Sequence, residues 1–234
     1  MNLNPEEVRY FRHNGFLRLP TSLSAGRVES LRETILYDIE NVVEPAVRNK
    51  EGRVVRLSQI WDRAEIFRDT ITSDEVLEPM ESLLGPNIEF IRNRHNHATL
   101  NLSSKATYLH RDIMQWTRNI VTMIFYLEET TVENGCTTVL PGSHLLPTSD
   151  KASFEQNEWL QETRLREQLI PVPMPGGGML VIDSMIIHTG GVNRSGSTRM
   201  SMTAGYHSVD ELMNSENPKR VLVRGEHIYD GNDR

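Results

Sequence analysis

The sequence predicts a closed, mainly antiparallel β core of the jelly-roll or cupin kind, with N-terminal helices packed on one sheet. Two observations lead there. Apolar residues recur at helical spacing in the first part of the chain, and from Asn87 onward the pattern changes to short alternating or β-branched runs. Turn residues separate each of those runs, and helices followed by antiparallel strands suggest a β core with helical cover.

Asn4-Pro5-Glu6-Glu7 has the makings of a helix start, with a cap, a proline at the first helical position and acids in the first turn. That helix is expected to stop at Gly15. "FLRLP" then predicts a short strand. Ser24 can cap a second helix, with Val28, Leu31, Ile35 and Leu36 at helical spacing. The basic stretch "RNKEGRVVRL" (48–57) predicts a loop with a possible hairpin, and Asp74–Leu84 a helix stopped by Gly85-Pro86. Strands are expected at "IEFIRNRHNHATLNL", "NIVTMIFYL", "TTVLPGSH", "GGMLVIDSMIIH" and "RMSMTAGYH". Between the last three, residues 150–168 are polar and helix-like, marked by Phe154, Trp159 and Leu160.

The 234 residues suit one large domain with a sizeable core, and residues 1–234 are taken as a single domain. Twenty-five basic against 32 acidic residues, mixed along the chain, give a net charge of −7. That argues against nucleic acid as a partner, which needs a basic stripe. Cys136 stands alone, so there is no disulfide framework and a reducing compartment is the default. The start of the chain lacks the apolar stretch of a signal peptide, and no run approaches a membrane span. A cytoplasmic protein without a membrane partner is expected; the oligomeric state is not legible.

Within "TYLHRDIMQW" (107–116), His110 and Asp112 are two apart, so on an extended chain both point to one face. One imidazole and one carboxylate are two thirds of the facial triad of non-haem Fe(II) oxygenases. The spacing alone is also that of a solvated surface pair. His188, at the end of an apolar strand, can face back into a barrel mouth. Arg199 follows eleven residues later, and two strands joined by a Gly/Asn/Ser turn would bring both side chains into one pocket. Ser201 shares the face of Arg199, and a buried arginine there pairs with a carboxylate. A 2-oxo diacid meets the needs of both metal and arginine.

With "LHRD", "ENGCTTVLPGSH" and "GGGMLVIDSMIIHTGGVNRSGSTRMSMT" in place, the chain resembles the phytanoyl-CoA dioxygenase family of Fe(II)/2-oxoglutarate-dependent oxygenases, from about Glu6 to Tyr206. The resemblance implies a double-stranded β-helix. It implies His110, Asp112 and His188 as ligands of Fe(II), and Arg199, helped by Ser201, as the grip on the distal carboxylate of 2-oxoglutarate. With O2, decarboxylation to succinate and CO2 would drive oxidation of a C–H bond in a small organic molecule, and the compact chain suggests a biosynthetic or natural-product intermediate. Asp112 fills the position that related halogenases leave small for chloride, so hydroxylation, desaturation, cyclisation or demethylation is implied rather than halogenation. The rival from another class is a cupin-like ligand sensor without turnover.

Other residues are weaker candidates. Trp116 sits where similar hydroxylases line the substrate pocket, or is a core aromatic. On "NRHNHATLN", His95, His97, Thr99 and Asn101 are expected to share a strand face, and His97 or Thr99 to contact 2-oxoglutarate. A second metal there would lack a carboxylate partner. His144 and Cys136 suggest packing, His207 either face of its strand, and Gly176–Gly178 a turn. The run Arg48, Lys50, Arg53, Arg56 is a solvated face, or a lid that meets an anionic substrate.

Overall fold

The computed structural model describes residues 1–100, 108–113, 120–146, 162–209 and 217–227. Trp116, Asn101, Phe154, Trp159 and Leu160 lie outside them. Helix α1 (Pro5–Asn14) carries the expected cap, which is a full capping box: Asn4 accepts from the amides of Glu6 and Glu7, and Glu7 reaches back to the Asn4 amide. Gly15 ends it at φ 78°, where a Cβ would strike the His144 ring, and His144 Nε2 lies 3.1 Å from the carbonyl of Arg12. Strand β1 (Phe16–Ser22) follows; Pro20 is tolerated because β1 is an edge strand. Ser24 caps α2 (Ala25–Glu40), which buries Leu31 and Ile35 but leaves Leu36 40 % exposed, so the apolar stripe is narrower than expected.

The basic stretch is a hairpin, β2 (Ala46–Arg48) and β3 (Val54–Ser58), that extends the main sheet. A short helix absent from the sequence reading, α3 (Glu65–Ile71), precedes α4 (Asp74–Leu84). The long alternating stretch is two strands, β4 (Ile88–Ile91) and β5 (Asn96–Leu100), because the polar residues 92–95 turn between them. Next come β6 (Ile120–Tyr126), β7 (Thr137–Val139) and β8 (Ile170–Val172). Among its described residues the expected helix shows a helical Glu162 and a 3₁₀ turn at Leu165–Gln168. The next run also divides, at a turn after Asp183, into β9 (Gly178–Asp183) and β10 (His188–Gly190). β11 (Met200–Ser208) and β12 (Arg220–Arg224) complete the series.

All named strand pairs are antiparallel. The large sheet runs β1-β9-β6-β11-β5-β3-β2, with β4 pairing both β11 and β12; the small sheet is β10-β7-β8. Side-chain alternation assigns the two faces of the large sheet. Met123, Phe125, Val181, Met202 and Ala204 join Leu31, Ile35 and Phe67 in the core under the helices. Ile124, Tyr126, Leu180 and Ile182 meet Val139 and Val172 of the small sheet. Each such large apolar side chain contributes about 1.5–3 kcal/mol by leaving water. This is a double-stranded β-helix with helical cover on one sheet.

Candidate active site

Alternation along β5, β6 and β11 sends one set of side chains into the space between the sheets. Thr99 lies opposite Ser201, and Ser201 opposite Tyr126; His97 lies opposite Thr203, whose hydroxyl is 3.2 Å from His97 Nε2. These residues, with His95, His110, Asp112, Thr122, His188 and Arg199, line a cavity of about 760 Å³. A second cavity of about 510 Å³, between α1, β1 and β8, has no histidine among the described residues of its lining.

His110 and Asp112 converge as expected, but not on a regular strand. Residues 108–113 form a single bridge in which His110 and His188 exchange backbone hydrogen bonds, both 3.0 Å, while the Asp112 amide donates to the Ser184 carbonyl at 2.9 Å. His188 opens β10 in the small sheet. The two imidazoles are set alike: Nδ1–H of His110 donates to the Tyr108 carbonyl (3.0 Å) and Nδ1–H of His188 to the Ile186 carbonyl (3.1 Å). In that tautomer each Nε2 keeps its lone pair. The two Nε2 atoms lie 3.9 and 3.7 Å from Asp112 Oδ1, and the three potential ligand atoms fall within 4.8 Å of one another. Burial, with the neighbouring His188, holds the His110 pKa below the ordinary imidazole value. Burial pushes the Asp112 carboxyl up, but His188, His95, the Thr122 hydroxyl and His110 together hold it below its ordinary value. Two neutral imidazoles and an anionic carboxylate at this spacing fit a divalent metal.

Sequence reasoning missed Thr122 and Glu128, which frame this set, and placed His95 on the wrong element. Thr122 on β6 donates to Asp112 Oδ2 at 2.8 Å and lies 3.1 Å from Ser184 Oγ, which leaves Oδ1 directed at the imidazoles. His95 brings Nε2 to 3.3 Å from Asp112 Oδ1. It is not on the β5 face with His97 and Thr99; it sits in the turn before β5 at φ 48°, and Gly205 permits the approach, since a Cβ there would stand 3.1 Å from the Arg94 carbonyl. Glu128 accepts from Thr198 Oγ1 (3.0 Å) and the Met200 amide (2.8 Å) and pairs with Arg32 of α2 at 3.3 Å, fixing the backbone on both sides of Arg199.

Arg199 reaches the same cavity, although β10 and β11 belong to different sheets and are not the hairpin expected. Its Nη1 is buried with no hydrogen-bond partner among the described residues, which marks a place for an anion. Burial lowers its pKa, while Tyr126 and Cys136 favour its charged form. Tyr126 itself bonds Thr137 Oγ1 at 2.8 Å, and burial pushes its hydroxyl up to about 12. His207 is not in the cavity lining; it is buried against Arg220 (2.8 Å) and Glu89 (3.7 Å). Cys136 is buried, and Gly177 forms the expected turn at φ 83°. Among the described residues no helix is long and apolar enough to cross a membrane.

Among known proteins, the chain is 22 % identical over 227 residues to a probable α-ketoglutarate-dependent hypophosphite dioxygenase of Stutzerimonas stutzeri, covering 88 % of this chain and 79 % of the relative. It is 21 % identical over 236 residues to the human peroxisomal phytanoyl-CoA dioxygenase, covering 89 % and 69 %. Among solved structures, EctD from S. alaskensis with 2-oxoglutarate and 5-hydroxyectoine superimposes at a TM-score of 0.78, with 18 % identity, over 91 % of this chain and 78 % of that one. The epimerase SnoN from nogalamycin biosynthesis gives 0.74 at 20 % identity, over 94 % and 96 %. The phytanoyl-CoA dioxygenase family model matches residues 11–201, most of the described cavity included, and the chain belongs to that family.

Proposed function

We propose that residues 1–234 act as one Fe(II)- and 2-oxoglutarate-dependent oxygenase domain that oxidises a C–H bond of a small organic molecule. One observation carries the reading: His110, Asp112 and His188 present ligand atoms within 4.8 Å of one another in the cavity that also holds the unpartnered Nη1 of Arg199. In this reading the three side chains hold the metal and Arg199 the far carboxylate of the co-substrate. Ser201 and Thr99, opposite each other on β11 and β5, add hydroxyl donors beside it, with His97 one position further along. Bound iron and 2-oxoglutarate supply the oxidising chemistry, with succinate and CO2 as by-products. The backbone carbonyls of Tyr108 and Ile186 keep both imidazoles in the ligating tautomer, and Thr122 keeps Asp112 from turning. Ile124 and Ile182 contribute apolar surface to the same cavity.

The test is anaerobic addition of Fe(II) and 2-oxoglutarate, followed by the weak visible charge-transfer band, then admission of O2 and measurement of succinate. Band and succinate, both lost in His110→Ala and Asp112→Ala, are the expected result. A band with no succinate across candidate substrates points to the cupin-like sensor. The names of relatives include an epimerase and a carbocyclase, so product analysis decides between hydroxylation and desaturation, cyclisation or demethylation.

A further inference from the structure

Among the described residues, the cavity lining carries more positive charge than iron and 2-oxoglutarate would neutralise. Those residues include three guanidiniums, of Arg56, Arg111 and Arg199, and one carboxylate, Asp112. Under the function proposed above, on which this inference rests, the doubly negative co-substrate and Asp112 together offset the divalent metal and Arg199. Arg111 is held in place: its Nη2 donates to the carbonyls of Ser143 (2.6 Å) and Leu146 (2.9 Å), and Asp183 favours its charge. Arg56 remains.

The hairpin register points Arg56 inward. Arg56 lies opposite Thr99, Thr99 opposite Ser201 and Ser201 opposite Tyr126, so the four side chains share one face of the large sheet. Arg56 is the outermost and the exposed member of that row. No hydrogen bond or ion pair holds it among the described residues, whereas Arg48 on the same hairpin is tied to Glu44 at 2.8 Å. Beside it, His97 is held neutral, its pKa pulled down to about 3 by burial, with His95 and Arg56 adding to the effect. A neutral imidazole next to a free guanidinium offers a further hydrogen bond without a competing charge.

We propose that Arg56 is a specificity-determining residue that binds an anionic group of the substrate at the cavity mouth, a carboxylate or a phosphate. The substrate then enters with its anionic end outward and its reacting carbon toward the metal.

The test uses the full chain loaded anaerobically with Fe(II) and 2-oxoglutarate, and reads paramagnetic relaxation of small probes near the metal. The probes are inorganic phosphate, followed by phosphorus resonance, and a set of small carboxylic acids, each paired with its primary amide. The expected result is saturable relaxation of anions, tighter by about fivefold than that of neutral partners, as befits a partly solvated ion pair. Arg56→Gln should abolish the preference, Arg56→Lys should keep part of it, and 2-oxoglutarate affinity should be the same in all three proteins. Response to phosphate alone, or to carboxylates alone, tells the two substrate classes apart. No anion preference in the wild type, or a preference that survives Arg56→Gln, overturns the inference. Weaker 2-oxoglutarate binding in Arg56→Gln also overturns it, by assigning the residue to the co-substrate. Failure of the wild type to form the charge-transfer band removes the proposed function, and this inference with it.

Discussion

Replacing Thr122 by valine keeps the side-chain shape and removes one hydroxyl, the group that donates to Asp112 Oδ2 at 2.8 Å. Thr122 is 1 % exposed and the Asp112 side chain 3 %, so water does not take the vacated place. A hydrogen bond to a charged acceptor contributes about 1.5–3 kcal/mol, and at roughly tenfold per 1.4 kcal/mol this corresponds to about tenfold to a hundredfold in metal affinity. Ser184 Oγ stays close by, 3.1 Å from the lost oxygen, which favours the lower end. The sign of the pH effect follows from the same contact. Thr122 is one of the groups that lower the Asp112 pKa, so the variant carboxylate protonates at higher pH, and its metal affinity should fall further behind the wild type as pH drops toward the carboxylate range. Anaerobic calorimetric titration with Fe(II), at neutral and mildly acidic pH, reads both effects, and Thr122→Ser should recover most of the loss. A Thr122→Val affinity within about twofold of wild type, in a protein that melts normally, would show that Asp112 is positioned by something else.

Arg199→Ala should leave Fe(II) binding intact and weaken 2-oxoglutarate by roughly a hundredfold, the scale of a truncated buried charge pair; titration of the charge-transfer band measures it. His95→Phe should retain Fe(II) affinity within about threefold while His110→Ala loses it, because His95 stands outside the set of mutually close ligand atoms; metal titration of the two variants distinguishes a neighbour from a ligand. For His97, the folded pKa of about 3 lies below the unfolded value near 6.5, so the unfolded state takes up the proton first and the metal-free fold loses stability as pH falls through that window. His97→Gln should flatten the decline in denaturant midpoint between pH 6.5 and about 4. Tyr206→Phe deletes the buried hydroxyl that donates to the Ile71 carbonyl at 2.8 Å and should cost about 1–2 kcal/mol in chemical denaturation, with metal binding unchanged.

Local rules made much of this molecule legible before any coordinates. Asn4, Pro5 and Gly15 bound α1 through contacts within a few residues, and the ligand spacing of His110 and Asp112 survives although the backbone there is a bridge rather than a strand. What escaped depends on pairing across the sheets. Thr122 is one polar residue in an apolar strand, and only its register against β9, which brings Ser184 and residues 110–113 alongside, gives it a carboxylate to hold. His95 and Glu128 gain their places from a turn and from a helix distant in sequence. α3 has no side-chain cap at Ala64 and too few residues to show a period, and β8 is short and contains Pro171, so neither announced itself.

His188 stands on the small sheet, while Arg199 is continuous with β11 of the large one. Any compound gripped at both ends therefore bolts the two layers of the sandwich together. Under the proposed roles, heat should therefore open the protein loaded with metal and co-substrate later than the protein loaded with metal alone.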